Sequence, residues 1–413
     1  MNKMKKTTIF CFLSFIFISL SSGEINRYNR KIEFGVEAEG GFSNNYIKAT
    51  DILVKDLVID ITELADDLYG KDFVVDFNAE AKTWFALNFS EKFRLNCFWG
   101  VDASGYSAIS QSLFDLLCKG FEVNSNETID IKMFGDVYAL SGFTFKTKIK
   151  DYGLHLTPVL FTPLFHINET KATASYTSTE DGLIRAEAEI PLNVYSIVDL
   201  DGIEDNVKDS AFVQDMVSEI IKNTGFDFSA EIERPFGNSL DLGLFTRIPV
   251  VPGRLKYKAY KRYWGVFEQQ NALGLLNETN SYTKEYGDDD AVYSKTTKTV
   301  HRPFILGLEG AWRPFGKWCT IQPKVNLAVR NPYSGEAEIY GEYSLEADLR
   351  ILNIIGLKAV TAYENLIYKH SLGFMLNTRI LEIDAGVQVR GADFERSFGV
   401  TGLAAYAGVK FGF

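Results

Sequence analysis

Carboxylates recurring at every second position carry most of the chemistry in this chain. Glu336, Glu338, Glu342, Glu346 and Asp348, with Ser344 and Arg350, alternate with Ala337, Ile339, Gly341, Tyr343, Leu345, Ala347 and Leu349. In an extended chain that spacing sends the polar set to one face and the apolar set to the other. Phe73 to Phe89 repeats the split: Phe73, Val75, Phe77, Phe85, Leu87 and Phe89 oppose Asp76, Asn78, Glu80, Lys82 and Asn88. With Glu382 and Asp384 from a later strand, the residues that would line a wet interior are Glu80, Glu336, Glu338, Glu346, Asp348, Glu382 and Asp384. Rings of carboxylates around a water path favour cations or neutral solutes over anions.

Catalytic chemistry is hard to assemble from the remaining residues. The sequence has no glycine-rich phosphate loop, no Cys-x-x-Cys pair, no His-Glu-x-x-His helix and no Gly-x-Ser-x-Gly elbow. His155, His166, His301 and His370 stand singly in or beside expected strands, which reads as lumen or interface positions. The run Asp288, Asp289, Asp290 lacks the spacing that folds oxygens around calcium and reads as solvated charge. No enzyme, cofactor or metal site is expected. The formal charge of −11 disfavours nucleic acid, which wants a basic face.

The elements that position these residues follow from segment length. The alternating runs extend over ten to seventeen residues, longer than the strands of soluble sandwiches and long enough to cross a bilayer when tilted. An open sheet edge in lipid would strand backbone donors and acceptors, so the strands must close. We expect an all-β chain, a transmembrane antiparallel barrel of about 14 strands within a range of 12–16, with a few short helical insertions. Helical periodicity places the insertions near 51–68, 108–118 and 210–223. The polar stretch Asn277 to Asp290 reads as a long outer loop. A barrel of this width cannot be filled by its own side chains and must hold water, a plug or a ligand path.

The two ends of the chain give the address. Lys3, Lys5 and Lys6 precede an apolar run from Thr7 to Leu20 and the small residues Ser21, Ser22 and Gly23, the pattern of a signal peptide over residues 1–23. The barrel would then occupy 24–413. Cys97, Cys118 and Cys319 remain, widely spaced and odd in number, which suits neither a disulfide framework nor a metal. At the other end Leu403, Ala405, Ala407, Val409, Phe411 and Phe413 share one face and the chain closes on an aromatic. Phe411 and Phe413 resemble the closing-strand signal read by the barrel-assembly machinery, so that machinery, periplasmic chaperones and outer-membrane lipid are the expected partners.

The signal peptide, the barrel length, the terminal Phe and a helical element near the mature N-terminus together resemble the superfamily of FadL-type and TraF/PorV-like outer-membrane barrels. The resemblance implies a bacterial outer-membrane transport or channel protein, with uptake of hydrophobic or small nutrients as its finer form. The Asn-Pro-Ala signature of FadL-type hatches is not in this sequence, so no ligand residue is carried over. Two other readings stay open: a non-conducting barrel for adhesion or for scaffolding a secretion apparatus, and an outer-membrane hydrolase.

Overall fold

The computed structural model describes residues 30–48, 72–90, 92–119, 126–179, 183–201, 217–269, 282–335, 337–351, 354–364 and 367–413, together with 64, 66 and 68. The expected signal peptide lies outside the described residues. So does most of the expected first helix, of which Leu64, Asp66 and Leu68 are helical.

Among the described residues eighteen strands follow in chain order: β1 (Ile32–Asn44), β2 (Phe73–Ser90), β3 (Phe93–Ile109), β4 (Asn126–Ile149), β5 (Tyr152–Ser178), β6 (Ile184–Ser196), β7 (Gly225–Phe236), β8 (Leu240–Val251), β9 (Gly253–Gln269), β10 (Tyr282–Asp288), β11 (Val292–Val300), β12 (Phe304–Trp312), β13 (Cys319–Arg330), β14 (Glu338–Ile351), β15 (Ile355–Glu364), β16 (Ile367–Asn377), β17 (Leu381–Gly391) and β18 (Gly402–Gly412). Fourteen of them close into an antiparallel barrel. Its circuit runs β1 to β5, then β7, β8, and β12 to β18, and returns to β1. Closure removes the edge that lipid could not satisfy. At the seam the backbone N–H of Lys31 donates to the Phe413 carbonyl at 2.5 Å, and the Phe413 N–H donates to Ile32 at 2.9 Å. The rings of Phe34 and Phe411 stack across it with centroids 5.1 Å apart.

Burial alternates along each wall strand. On β14 Leu345 is 49% exposed and Leu349 39%, while the intervening Glu346 and Asp348 are 9% and 3% exposed. Val36, Phe77, Trp99, Leu244, Leu308, Val325, Leu357, Leu372 and Val387 are exposed in the same way around the circuit. Water would not tolerate so continuous an apolar band, whereas hydrocarbon does. No helix among the described residues is long and apolar enough to cross a membrane, so the crossing is made by strands. The protein is an outer-membrane β-barrel.

Strand connections fall into two classes. Tight turns join β2–β3, β4–β5, β7–β8, β14–β15 and β16–β17 at the end where β1 starts and β18 stops, while the long connections lie at the other end beside the one short link from β15 to β16. Short turns mark the periplasmic side of such barrels and long loops the outer side. The helix Gln111–Lys119 and the helical turn 217–222 therefore sit outside. Phe114 of that first helix packs with Leu64 and Leu68 against the rim residues Phe73 and Ile109.

Strands β6, β9, β10 and β11 are not part of the closed wall. β5 runs for 27 residues; its start pairs with β7, and its end rises past the rim to pair with β6. β9 pairs with β6 on one side and with β11 and β10 on the other. The register of β5 against β6 shifts between Ile167 and Thr173, so its alternation is interrupted although the strand runs on. The expected loop Asn277 to Asp290 contains β10, a strand wet on both faces and so without an apolar period. Within it the acidic run is partly paired: Asp288 meets Lys261 at 2.5 Å and Asp289 meets Arg262 at 2.8 Å.

Candidate functional site

The inner wall is a paired charge lattice. Lys358, on β15 opposite Asp348, holds Glu346 at 2.9 Å, and Gln322 of β13 donates to Glu346 at 3.1 Å and to Asp348 at 3.2 Å. Glu382 meets Lys410 at 3.3 Å and Arg30 at 3.7 Å, and Glu33 meets Arg94 at 3.1 Å. Fully buried Arg390 binds Glu39 and the side-chain carbonyl of Asn78. Glu80 stands opposite Asp102 in the register of β2 and β3 and is partly covered. Glu338 is exposed near the outer rim, paired with Arg330 at 2.8 Å. Asp384 is half-buried on β17, and Glu336 lies outside the described residues.

The structure therefore brings together Glu346 with Asp348 on one wall, and Glu382 with Asp384 two strands beyond β15, while Glu80 and Glu338 stand apart. The sequence reading had carboxylates outnumbering cations on the inner face. Here many inner carboxylates are paired: Glu33 with Arg30 and Arg94, Asp227 with Arg302, Glu346 with Lys358, Glu364 with Lys369 and Glu39 with Arg390.

At the outer mouth one wall is covered by apolar residues. Tyr138 and Phe161, on the wall where β4 meets β5, pack with Ile197, Val198, Leu255 and Val300. Just beyond Val300 the chain passes over this wall, where Arg302 donates to the buried Asp227 at 3.0 Å and Arg247 donates to the Pro303 carbonyl at 3.0 Å. The nearby His301 imidazole is held below its ordinary pKa by burial. The loop after β17 instead wraps the outer side: Phe398 stacks on His370 at 4.0 Å, and Phe394 meets Tyr368 at 5.4 Å.

The periplasmic half is open. A cavity of about 1090 Å³ is lined by residues of β2–β5, β7, β8 and β12–β15, among them Arg94, Lys146, His155, Glu231, Glu233, Glu309, Lys324 and Glu346. One group in it was not singled out from sequence. His155 of β5 is register partner to Glu231 of β7, its Nδ1 2.9 Å from that carboxylate, and its Nε2 lies 3.7 Å from Glu233. Glu233 and Glu309 both pair with Gly243 of β8, one from each side, and the missing side chain lets the carboxylates approach across it. Alternation could place each on the inner face; their meeting depends on pairings between distant strands that no local signal reveals.

No family model and no curated sequence matches the chain. Among solved structures it is similar to the P. putida toluene transporter TodX, with a TM-score of 0.44 and 8% identity over 92% of this chain and 89% of that one. It is similar also to a Pseudomonas aeruginosa FadL homologue, with a TM-score of 0.46 and 9% identity over 93% of this chain and 91% of that one. The translocator domain of the autotransporter NalP from Neisseria meningitidis gives a TM-score of 0.34 and 8% identity over 99% of this chain and 95% of that one. At this level of similarity nothing about family or substrate passes to this chain.

Proposed function

We propose that the protein is an outer-membrane channel whose hydrated lumen passes small polar solutes. The observation that carries this reading is the 1090 Å³ vestibule at the short-turn mouth, walled by charged side chains in a barrel too wide to be filled by its own residues. Uptake of a hydrophobic nutrient, the finer expectation from sequence, has support from the apolar cluster around Phe161 at the outer mouth. That cluster gives way to the charge lattice within the wall, which suits polar cargo better. The reading is tested by reconstitution into planar bilayers under a KCl gradient. Conducting steps in the wild type, enlarged by Phe161→Ala, support it. Silence of both proteins would overturn it.

A second reading has its own observation. The sheet formed beyond the rim by β5, β6, β9, β10 and β11 rises from the wall and exposes Tyr263, Tyr286, Val292 and Tyr293. A barrel silent in bilayers would be read as a carrier for this sheet, presenting it for adhesion or assembly at the cell surface.

A further inference from the structure

We propose that His155, Glu231 and Glu233 bind one divalent transition-metal ion on the vestibule wall, with Glu309 supporting the ligands from behind. One imidazole nitrogen and one oxygen from each carboxylate lie within 4.8 Å of one another, a spread that a ligand shell of about 2.0–2.2 Å radius closes with small side-chain rotations. The three residues sit on adjacent strands of a rigid wall, β5 and β7, rather than on loops. Room around them comes from Gly153 and Gly243, which flank Glu233 on its two neighbouring strands.

Charge balance is the second line of support. Glu231 and Glu233 both face His155, and Glu309 reaches over Gly243, the residue that pairs with Glu233. Ionised carboxylates at such range repel unless a proton or a cation lies among them. Lys324 does not fill that role: its ammonium is 4.0 Å from Glu309 and stands over the Phe245 ring at 4.1 Å. Lys146, across from His155 on β4, acts on Glu233 only through its field. One nitrogen with two carboxylate oxygens suits zinc and its neighbours in the first transition row better than magnesium or calcium, which prefer all-oxygen shells. Three protein ligands leave a coordination position open toward the vestibule, so an ion there can exchange with the periplasm. The site holds whether or not the lumen conducts.

The test uses the whole barrel, purified in detergent and stripped of metal. Zn²⁺ titrated by calorimetry should saturate at one equivalent. His155→Ala and Glu231→Gln should each weaken binding more than Glu309→Gln, for which a loss of about tenfold to a hundredfold is expected of an outer-shell carboxylate. Absence of saturable binding, or equal binding by wild type, His155→Ala and Glu231→Gln, would overturn the proposal. Should the variants fail to give heat-modifiable barrel, pulsed EPR of the Cu²⁺-loaded wild type decides. Imidazole nitrogen coupling at one copper supports the site, and its absence rejects it.

Discussion

Tyr406 of β18 lies across Gly386, its register partner on β17, so closely that the space of a Gly386 Cβ is taken by the tyrosine ring. The ring reaches on over Gly373 of β16, which pairs with Gly386. An aromatic thus fills the gap that two glycines leave in the inner wall, and the tyrosine is 4% exposed. Adding a side chain beneath it must displace the ring, so Gly386→Val should cost about 1–3 kcal/mol by overpacking. Tyr406→Ala should cost about 3–5 kcal/mol through the cavity left behind. Gly408→Ala is the control, because the nearest atom to its Cβ would be 3.6 Å away. Tyr406→Phe should be neutral, since the Tyr406 hydroxyl makes no hydrogen bond among the described residues. Urea unfolding followed by tryptophan fluorescence ranks the four variants.

The closing strand makes a second prediction. Phe413 is 69% exposed, yet its backbone ties the seam to Lys31 and Ile32. Deleting Phe411 to Phe413 removes both this tie and the stack on Phe34, and should leave unfolded precursor in the periplasm. Phe413→Ser keeps the backbone bonds and removes only the ring. If the ring is what the assembly machinery reads, this variant too should reduce heat-modifiable protein at the outer membrane. Wild-type yield from Phe413→Ser would assign the terminal residue a seam role alone.

Much of this architecture is legible in the residues, and the losses have physical causes. Phe77 and Phe85 are 48% and 38% exposed on the outer face of β2 while Asp76 is 7% exposed, as a period of two requires. The same period marks β6, β9 and β11, but it cannot say that these strands leave the wall, because a strand above the rim alternates for its own neighbours. Nor can it show charge compensation. Arg390 and Glu39 are far apart in sequence and meet only because β17, β18 and β1 are adjacent at the seam. A list of inward carboxylates therefore overstated the free negative charge of the lumen. The cluster of His155, Glu231, Glu233 and Glu309 was hidden for the same reason.

Acid should loosen the outer sheet before the wall. Lys261 beside Asp288 holds that carboxyl below the usual carboxylate range. A folded-state pKa below the unfolded one means that the pair stabilises above the unfolded value, about 4, and that this contribution is lost as pH falls through the folded value. Both groups are open to solvent, so the effect is confined to the β9–β10 hairpin. Limited proteolysis from about pH 7 down to about pH 3 should show cleavage there rising at the acid end while the barrel core stays protected. Asp288→Asn should show the raised cleavage already at neutral pH.

The last prediction concerns two neighbours on β14 that face opposite solvents. Leu345 points to lipid, and Leu345→Arg should destabilise the barrel by about 2–4 kcal/mol near the bilayer midplane. From sequence alone, Glu346→Arg on the wet side would be tolerated far better, because a water-filled lumen can hydrate a charge. The structure changes that expectation. Lys358, its side chain 1% exposed, has Glu346 as an ion-pair partner at 2.9 Å. Reversing Glu346 leaves that ammonium buried against a second cation, a loss of about 3–5 kcal/mol for a broken buried pair. Glu346→Arg should thus cost at least as much as Leu345→Arg. The double change Glu346→Leu with Lys358→Met, which removes both charges together, should recover most of the stability. Unfolding in lipid vesicles measures all three. A harmless Glu346→Arg would mean that water reaches Lys358 freely.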